Sequence, residues 1–333
     1  MFNFFIIFLF LNFLFFIFNS FFSKKYNLFD QPDKKRKIHK KSVPLLGGLF
    51  LVFNLSAILI YKTFFDNSSN FEFFENYKNY NFFFIICLCF YLIGYYDDKY
   101  KISYNLKFFL SIILILLTFY FDRTLLLEEL NFSFLSSKIN LTFFSYLVTT
   151  LCFLLFINAL NMLDGINGQA ASYILFILLL FLFKGVLVLF SICIILFILF
   201  FLILNFQNKS FLGDSGTLPL GYMISYVFIK LYNTDNIFFV DEIFLIMSVP
   251  GYELLRLALQ RIISKKHPFL ADNNHIHHLI INRCKFISTF FMVQFLLISP
   301  YISYIISNNF FISFFLSLFL YVLFVIFFKK TNR

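Results

Sequence analysis

Tryptophan is absent and charge is scarce: of 333 residues, 13% are Asp, Glu, Lys or Arg, against 61% that are hydrophobic. An average soluble domain carries roughly 25% charged residues, and so few polar groups cannot make a surface that stays in water. A secreted enzyme, a nucleic-acid-binding protein and a disordered chain are excluded, and the composition describes an integral membrane protein. Cysteine is sparse as well. Cys87, Cys89, Cys152, Cys193 and Cys284 lie mostly inside apolar runs without zinc-ligand spacing, so they read as small core hydrophobes and not as disulfide or metal partners. Internal repeats, a soluble domain and long linkers are all missing, which leaves one polytopic domain over 1–333. What the chain does have is grease: 59 Phe, read as a product of AT-rich coding and given no chemical meaning.

A membrane-spanning helix needs roughly 20 apolar residues, fewer where neighbouring helices shield it. Eleven stretches qualify: 2–22, 44–62, 80–96, 107–121, 142–159, 169–183, 185–204, 216–231, 237–255, 287–306 and 309–328. The first has no basic leader or small-residue cleavage site and runs into Lys24-Lys25, so it reads as a retained span. Only Lys184-Gly185 separates the sixth from the seventh, so nine helices with one long bent segment is the competing count. If the stretches alternate across the bilayer, 21 of the 27 Lys and Arg fall on one side. Basic residues accumulate in cytoplasmic loops, so that side is cytoplasmic, with the N-terminus outside and Lys329, Lys330 and Arg333 inside. The expectation is an all-α polytopic membrane protein with about eleven spans, nine to eleven.

The loops assigned to that face, 23–43, 97–107, 158–168, 205–215 and 256–286, hold nearly all the polar residues that topology does not explain. A transporter would place ionisable groups near the bilayer midplane, on broken helices. Here they sit at helix ends. Asp97 and Asp98 are neighbours at the inner end of the third span. Adjacent helical residues point about 100° apart, so one can act as base or metal ligand while the other supports it. The bland alternative is a solvated turn paired with Lys99 and Lys101.

Asn158, Asn161 and Asp164 recur at every third position up to Gly165 and Gly168. Such oxygens suit a hard cation such as Mg2+, which keeps several waters and takes one or two carboxylates plus substrate phosphates; helix capping by Asn and Gly is the alternative. In Gly213-Asp214-Ser215-Gly216 the backbone N–H groups could bind an anion while Asp214 holds a metal, or Asp214 and Ser215 could be simple caps. His275-Ile-His277-His278 lacks the spacing of a zinc site, and its imidazoles suit contacts to phosphate. The Arg36–Lys41 run reads as a stop-transfer and anionic-lipid contact, whereas Pro44 and Gly47-Gly48 suggest backbone approaching a ligand closely.

Taken in order, Arg36-Lys37-x-His39 with Pro44 and Gly47-Gly48, Asp97-Asp98, Asn158-x-x-Asn161-x-x-Asp164-Gly165, Gly213-Asp214-x-Gly216 and Pro268-Phe-x-x-Asp272-x-x-His275-x-His277-His278 resemble the signatures of one family. This is the polyprenyl-phosphate N-acetylhexosamine-1-phosphate transferase family of WecA/MraY-like membrane enzymes, and the likeness runs from about residue 30 to 280. The spaced His-x-His-His is more similar to the branch that primes surface glycans than to the peptidoglycan branch.

The resemblance implies transfer of a sugar 1-phosphate, GlcNAc-1-phosphate by default, from a UDP-N-acetylhexosamine to undecaprenyl phosphate. The reaction would take place at the cytoplasmic face of a bacterial inner membrane, release UMP and start a lipid-linked surface polysaccharide such as O-antigen. It implies Mg2+, with Mn2+ as the alternative, and allows a homodimer. It implies catalytic roles for Asp97, Asp98 and Asp164 and metal contacts for Asp214 and Asn161. Substrate contacts would come from Arg36, His39, Asn158, Asn161, Asn167, His275, His277 and His278. The family usually has Asp where this chain has Asn167, and often Asp where it has Glu253. A phospho-MurNAc-pentapeptide transferase and a non-catalytic transporter or scaffold are the competing readings.

Overall fold

Each of the eleven apolar stretches is helical, as it must be where no water is available to pair the backbone N–H and C=O groups. The computed structural model describes residues 2–32, 41–65, 77–235, 237–268 and 273–329. In chain order the helices are α1 (Phe2–Ile17), α2 (Asn19–Tyr26), α3 (Gly47–Phe65), α4 (Tyr77–Tyr100), α5 (Tyr104–Phe121), α6 (Ser145–Leu163) and α7 (Gln169–Phe183). They continue with α8 (Val188–Phe206), α9 (Gly213–Asp235), α10 (Val240–Ile263), α11 (Ile276–Ile281), α12 (Phe286–Ser307) and α13 (Phe310–Phe328). Two short antiparallel pairs join them: β1 (Phe29–Asp30) with β2 (Val43–Pro44), and β3 (Glu129–Leu130) with β4 (Ile139–Asn140).

Among the described residues, seven helices are long and apolar enough to cross a membrane, and an eighth if α1 and α2, bent by 62° at Phe18, form one span. α7 is only 15 residues long, and α9 and α10 carry more polar side chains. α9 tolerates them because it is the central helix, packed on α3, α4 and α6, with Leu218 to Tyr232 buried throughout. Shielded in this way, a helix need not be uniformly apolar.

α7 and α8 are two helices packed on each other, not one bent segment. The chain reverses between them through left-handed backbone at Gly185 (φ 72°) and Leu187 (φ 49°). The far end of α9 carries a buried ion pair, Lys230 with Asp122 at 3.3 Å, and Tyr226 donates to the same carboxylate at 2.6 Å. A buried charge of this kind persists only when paired and hydrogen-bonded, and here it ties α9 to the residue that ends α5.

Pro44 and Gly47-Gly48 approach protein, not a ligand. Phe211 N–H donates to the Pro44 carbonyl at 2.9 Å, and Gly47 N–H donates to the Phe211 carbonyl at 3.0 Å. A Cβ on Gly48 would overlap the Ser215 carbonyl. These contacts fasten the start of α3 to the start of α9, where the site is built.

Candidate active site

One cavity of about 1180 Å3 is lined by residues from all five motif-bearing loops, so those loops lie at one end of the bundle. Its polar walls include Asp97, Asp98, Lys107, Asn158, Asn161, Asp164, Asp214, His275, His277 and His278, and its apolar walls include Phe108, Ile157, Leu218, Leu254 and Phe286.

The start of α9 is held in a bracket of acids. Gly213 has φ 65°, a left-handed conformation that glycine adopts without strain, and the turn brings three successive backbone N–H groups to the surface of the cavity. Asp164, the residue that ends α6, accepts from Gly213 N–H. Asp98 accepts from Asp214 N–H at 3.1 Å and from Ser215 N–H at 3.0 Å. The unpaired donors of a helix start carry partial positive charge and favour such carboxylates. The acceptors at this turn are therefore supplied by the protein itself, and the N–H groups are engaged.

With its backbone clamped, Asp214 projects into the cavity. Lys107, one turn into α5, contacts Asp214 Oδ2 and lies 3.1 Å from Asp97 Oδ2. Asp97 and Asp98 thus diverge, one toward the Lys107–Asp214 pair and the other beneath the α9 backbone. Asn161 donates from Nδ2 to Asp214 Oδ2 at 3.4 Å and accepts from Thr217 Oγ1 at 3.2 Å on its own oxygen. In this arrangement Asn161 orients Asp214 and turns its amide oxygen to Thr217; the oxygen contact to a metal expected of Asn161 would need the amide reversed. Lys107 was not singled out in the sequence, although a Lys within an apolar span was a sufficient signal.

Burial raises the Asp214 carboxyl, but the Lys107 charge and the hydrogen bonds from Asp97 and Lys107 outweigh it and hold Asp214 below the usual carboxylate range. Asp164 behaves oppositely: burial, reinforced by the Asp214 and Asp98 charges, pushes it well above that range. Two carboxyl groups in one site are thereby driven apart in acidity, a pattern frequent at functional sites.

The three His side chains cluster, with ring centroids 5.3 Å apart for His275 and His277 and 4.4 Å for His277 and His278. His277 is 2% exposed and packs on Gly165, where any Cβ would overlap its Nε2 atom. Burial, with His278 and His275 alongside, pushes His277 well below the usual imidazole value, so it is neutral at pH near 7.

Two expected substrate residues are engaged within the protein. Asn158 donates to the Leu154 carbonyl of its own helix at 2.7 Å. Asn167 donates to the Asn205 carbonyl and to Asn208 Oδ1, both at 2.9 Å, tying the α6–α7 turn to the end of α8. Asn167→Asp accordingly brings no gain in rate and lowers stability by about 1–3 kcal/mol, because a carboxylate would face two acceptors with no proton to give. Thermal unfolding of the variant in detergent checks the second point; a more stable or faster variant would reject this role. Arg36, His39 and Asp272 lie outside the described residues.

The donor set suits a hard cation. Asp97 and Asp214 offer carboxylate oxygens around a point already occupied by the Lys107 ammonium, so positive charge is stabilised there. Among the described residues no three His, Cys, Asp or Glu groups form a closed cage. An open edge of two carboxylates, completed by substrate phosphates and water, is the usual environment of Mg2+.

Comparison with known proteins follows the same residues. The profile of glycosyl transferase family 4 matches residues 80–232, the stretch that holds Asp97, Asp98, Asp164 and Asp214 together with Lys107, Asn161 and Asn167. A Bacillus subtilis (strain 168) protein, probable undecaprenyl-phosphate N-acetylglucosaminyl 1-phosphate transferase, is 28% identical over 257 residues, 75% of this chain and 68% of its own. Undecaprenyl-phosphate alpha-N-acetylglucosaminyl 1-phosphate transferases of Thermotoga maritima and Escherichia coli K12 are 27% and 26% identical over 260 and 274 residues. Each alignment covers 78% of this chain, with 75% and 70% of the respective relative.

Proposed function

From the membership of this chain in glycosyl transferase family 4, which residues 80–232 carry, we propose that it transfers an N-acetylhexosamine 1-phosphate, GlcNAc-1-phosphate by default, from a UDP-sugar to undecaprenyl phosphate. The single observation that carries this reading is the convergence of Asp97, Asp164, Asp214 and Lys107 in one cavity that has both polar and apolar walls. A polyprenyl phosphate needs such a boundary, with apolar wall for the chain and charged wall for the phosphate. A transporter would separate these charges along a path, and they are not separated.

Phosphoryl transfer depends on positioning and charge neutralisation more than on covalent participation. Asp214 and Asp97 would hold Mg2+, which when bound neutralises charge on the donor diphosphate and on the departing UMP. Asp98 and Asp164 fix the backbone of Asp214 so that its carboxylate does not have to be ordered during the reaction. Lys107 keeps Asp97 and Asp214 together and adds a fixed positive charge within reach of the phosphates. Asp97, on the cavity side, would act on the lipid phosphate through the Mg2+ it helps to hold and by accepting any proton the phosphate still carries. With a second pKa near 6, such a phosphate is already mostly dianionic at neutral pH, so proton removal is a minor part of its role. Neutral His277 offers a hydrogen bond in place of a charge, and His275 and His278 line the same wall.

In the bilayer the cavity faces the cytoplasm, where UDP-sugars are found, with α7, α9 and α10 completing eleven crossings, the N-terminus outside and the C-terminus inside. Support comes from the bias of Lys and Arg toward the loops that line the cavity.

The test is UMP release by the purified, detergent-solubilised protein given Mg2+, undecaprenyl phosphate and a panel of UDP-N-acetylhexosamines. Release that needs the lipid, stops with EDTA and is restored by Mg2+ is the expected result. Absence of release with every donor, from protein shown to be folded, would reject it.

A further inference from the structure

Glu253 of α10 is a buried acid, 3% exposed, that the reaction itself does not use. Its Oε1 accepts Ile276 N–H at 2.7 Å and Arg256 Nη2 at 2.9 Å; its Oε2 accepts the Tyr321 hydroxyl at 2.5 Å and Arg256 Nη2 at 2.9 Å and Nε at 3.2 Å. Arg256 also donates to the Asn274 carbonyl at 2.6 Å and to the Tyr321 oxygen at 2.8 Å. A buried carboxylate with this many donors is fully satisfied, and it fixes whatever those donors belong to.

Two of the partners belong to the stretch that carries the imidazoles. Asn274 and Ile276 flank His275, whose Nδ1 lies 3.8 Å from Glu253 Oε1. His277 follows directly, its ring seated on Gly165 beside Asp164. The third partner, Tyr321, is on α13, a helix whose buried residues are only Ser313, Ser317, Tyr321 and Phe328. Arg283 adds a second tie, donating to the Phe327 carbonyl at 2.6 Å.

We propose that Glu253, Arg256 and Tyr321 are positioning residues that hold the His275–His278 stretch against Gly165, so that the C-terminal helix α13 takes part in placing the imidazoles in the cavity. The kinetic consequence rests on the transferase reading above; the structural consequence does not.

Glu253→Gln keeps the volume but replaces one acceptor oxygen with a donor group and leaves Arg256 without its counter-charge. Tyr321→Phe removes a single hydroxyl and leaves the ion pair intact, so it remains informative if Glu253→Gln fails to fold. Lys184→Met serves as the control, since the contacts it removes, to Glu242, the Ile237 carbonyl and the Phe238 ring, involve none of Glu253, Arg256 and Tyr321. Two readouts are taken on the full chain in detergent: labelling of each His by diethyl pyrocarbonate, resolved by mass spectrometry, and steady-state kinetics for each substrate.

Labelling of His277 should be slow in the wild type and in Lys184→Met, about tenfold faster in Glu253→Gln and intermediate in Tyr321→Phe. Turnover per KM for the UDP-sugar should fall roughly ten- to a hundredfold in Glu253→Gln, with the KM for undecaprenyl phosphate unchanged, as is common when a group that orients an active-site residue is lost. His277 as protected in both Glu253→Gln and Tyr321→Phe as in the wild type, or equally exposed in Lys184→Met, would overturn the proposal. A wild type without turnover whose His277 labelling still follows the variants would leave the positioning role standing and reject the transferase reading.

Discussion

Asp214→Ala lowers UMP release by about a thousandfold or more, equivalent to roughly 4 kcal/mol of transition-state stabilisation. The magnitude follows from how the residue is placed. Its backbone N–H is held by Asp98, those on either side by Asp164 and Asp98, and its carboxylate is paired with Lys107 and oriented by Asn161. Among the described residues of this cluster no carboxylate is placed to substitute for it: Asp98 and Asp164 already accept from the backbone, and Asp97 is on a different helix. Asp214→Asn keeps the shape and loses the charge, so a loss of similar size separates electrostatics from packing. Initial rates at saturating UDP-sugar, with thermal unfolding to establish that both variants fold, check the prediction. Retention of more than about a tenth of the wild-type rate by either variant would remove Asp214 from the reaction.

Lys107→Met lowers the rate by on the order of a hundredfold at neutral pH, and by more as the pH falls. Removing the ammonium leaves Asp97 and Asp214 facing each other without the side-chain charge that pairs them. It also removes the largest influence that keeps Asp214 below the usual carboxylate range. Burial, which acts in the other direction, then dominates and the Asp214 pKa rises. The ionised form is present above the pKa and lost as pH falls through it, so the acid limb of the rate profile moves to higher pH in the variant. The comparison is of log rate against pH for the two proteins between about pH 5.5 and 8.5. An acid limb in the same place would show that Lys107 does not set the charge of Asp214. Lys107→Arg recovers only part of the activity, because a larger planar fork meets the two carboxylates in a different geometry from a compact ammonium.

Much of this protein was legible without coordinates, because a bilayer imposes few solutions. Apolar stretches must be helices, and a polar residue at a helix end needs a reason. The ordered set from Asp97-Asp98 to His275-x-His277-His278 could therefore be read as one site before any distance was known. The separate duties within that set could not. Asp98 and Asp164 look like candidate acids in sequence, yet they support the backbone of α9, since a helix start attracts carboxylates. Asn167 stands where the resemblance leads one to expect an acid, but its amide holds α8, and only the acceptors on Asn205 and Asn208 show why an amide serves there. Gly47-Gly48 signalled close approach correctly, but the group approached is the start of α9 and not the ligand expected.

What the sequence by itself determined is the solvent, the helices, their ends and the class of chemistry, because hydrophobicity, capping and charge bias act over a few neighbouring residues. What only the tertiary structure decided is which groups meet. Lys107 and Asp214 are 107 positions apart, Glu253 and Tyr321 are 68 apart, and α7 and α8 are separate helices because the chain turns back at Gly185 and Leu187. Contacts at such separations are set by how helices pack around α9, and packing depends on the shapes of all the side chains at once, which no local pattern records.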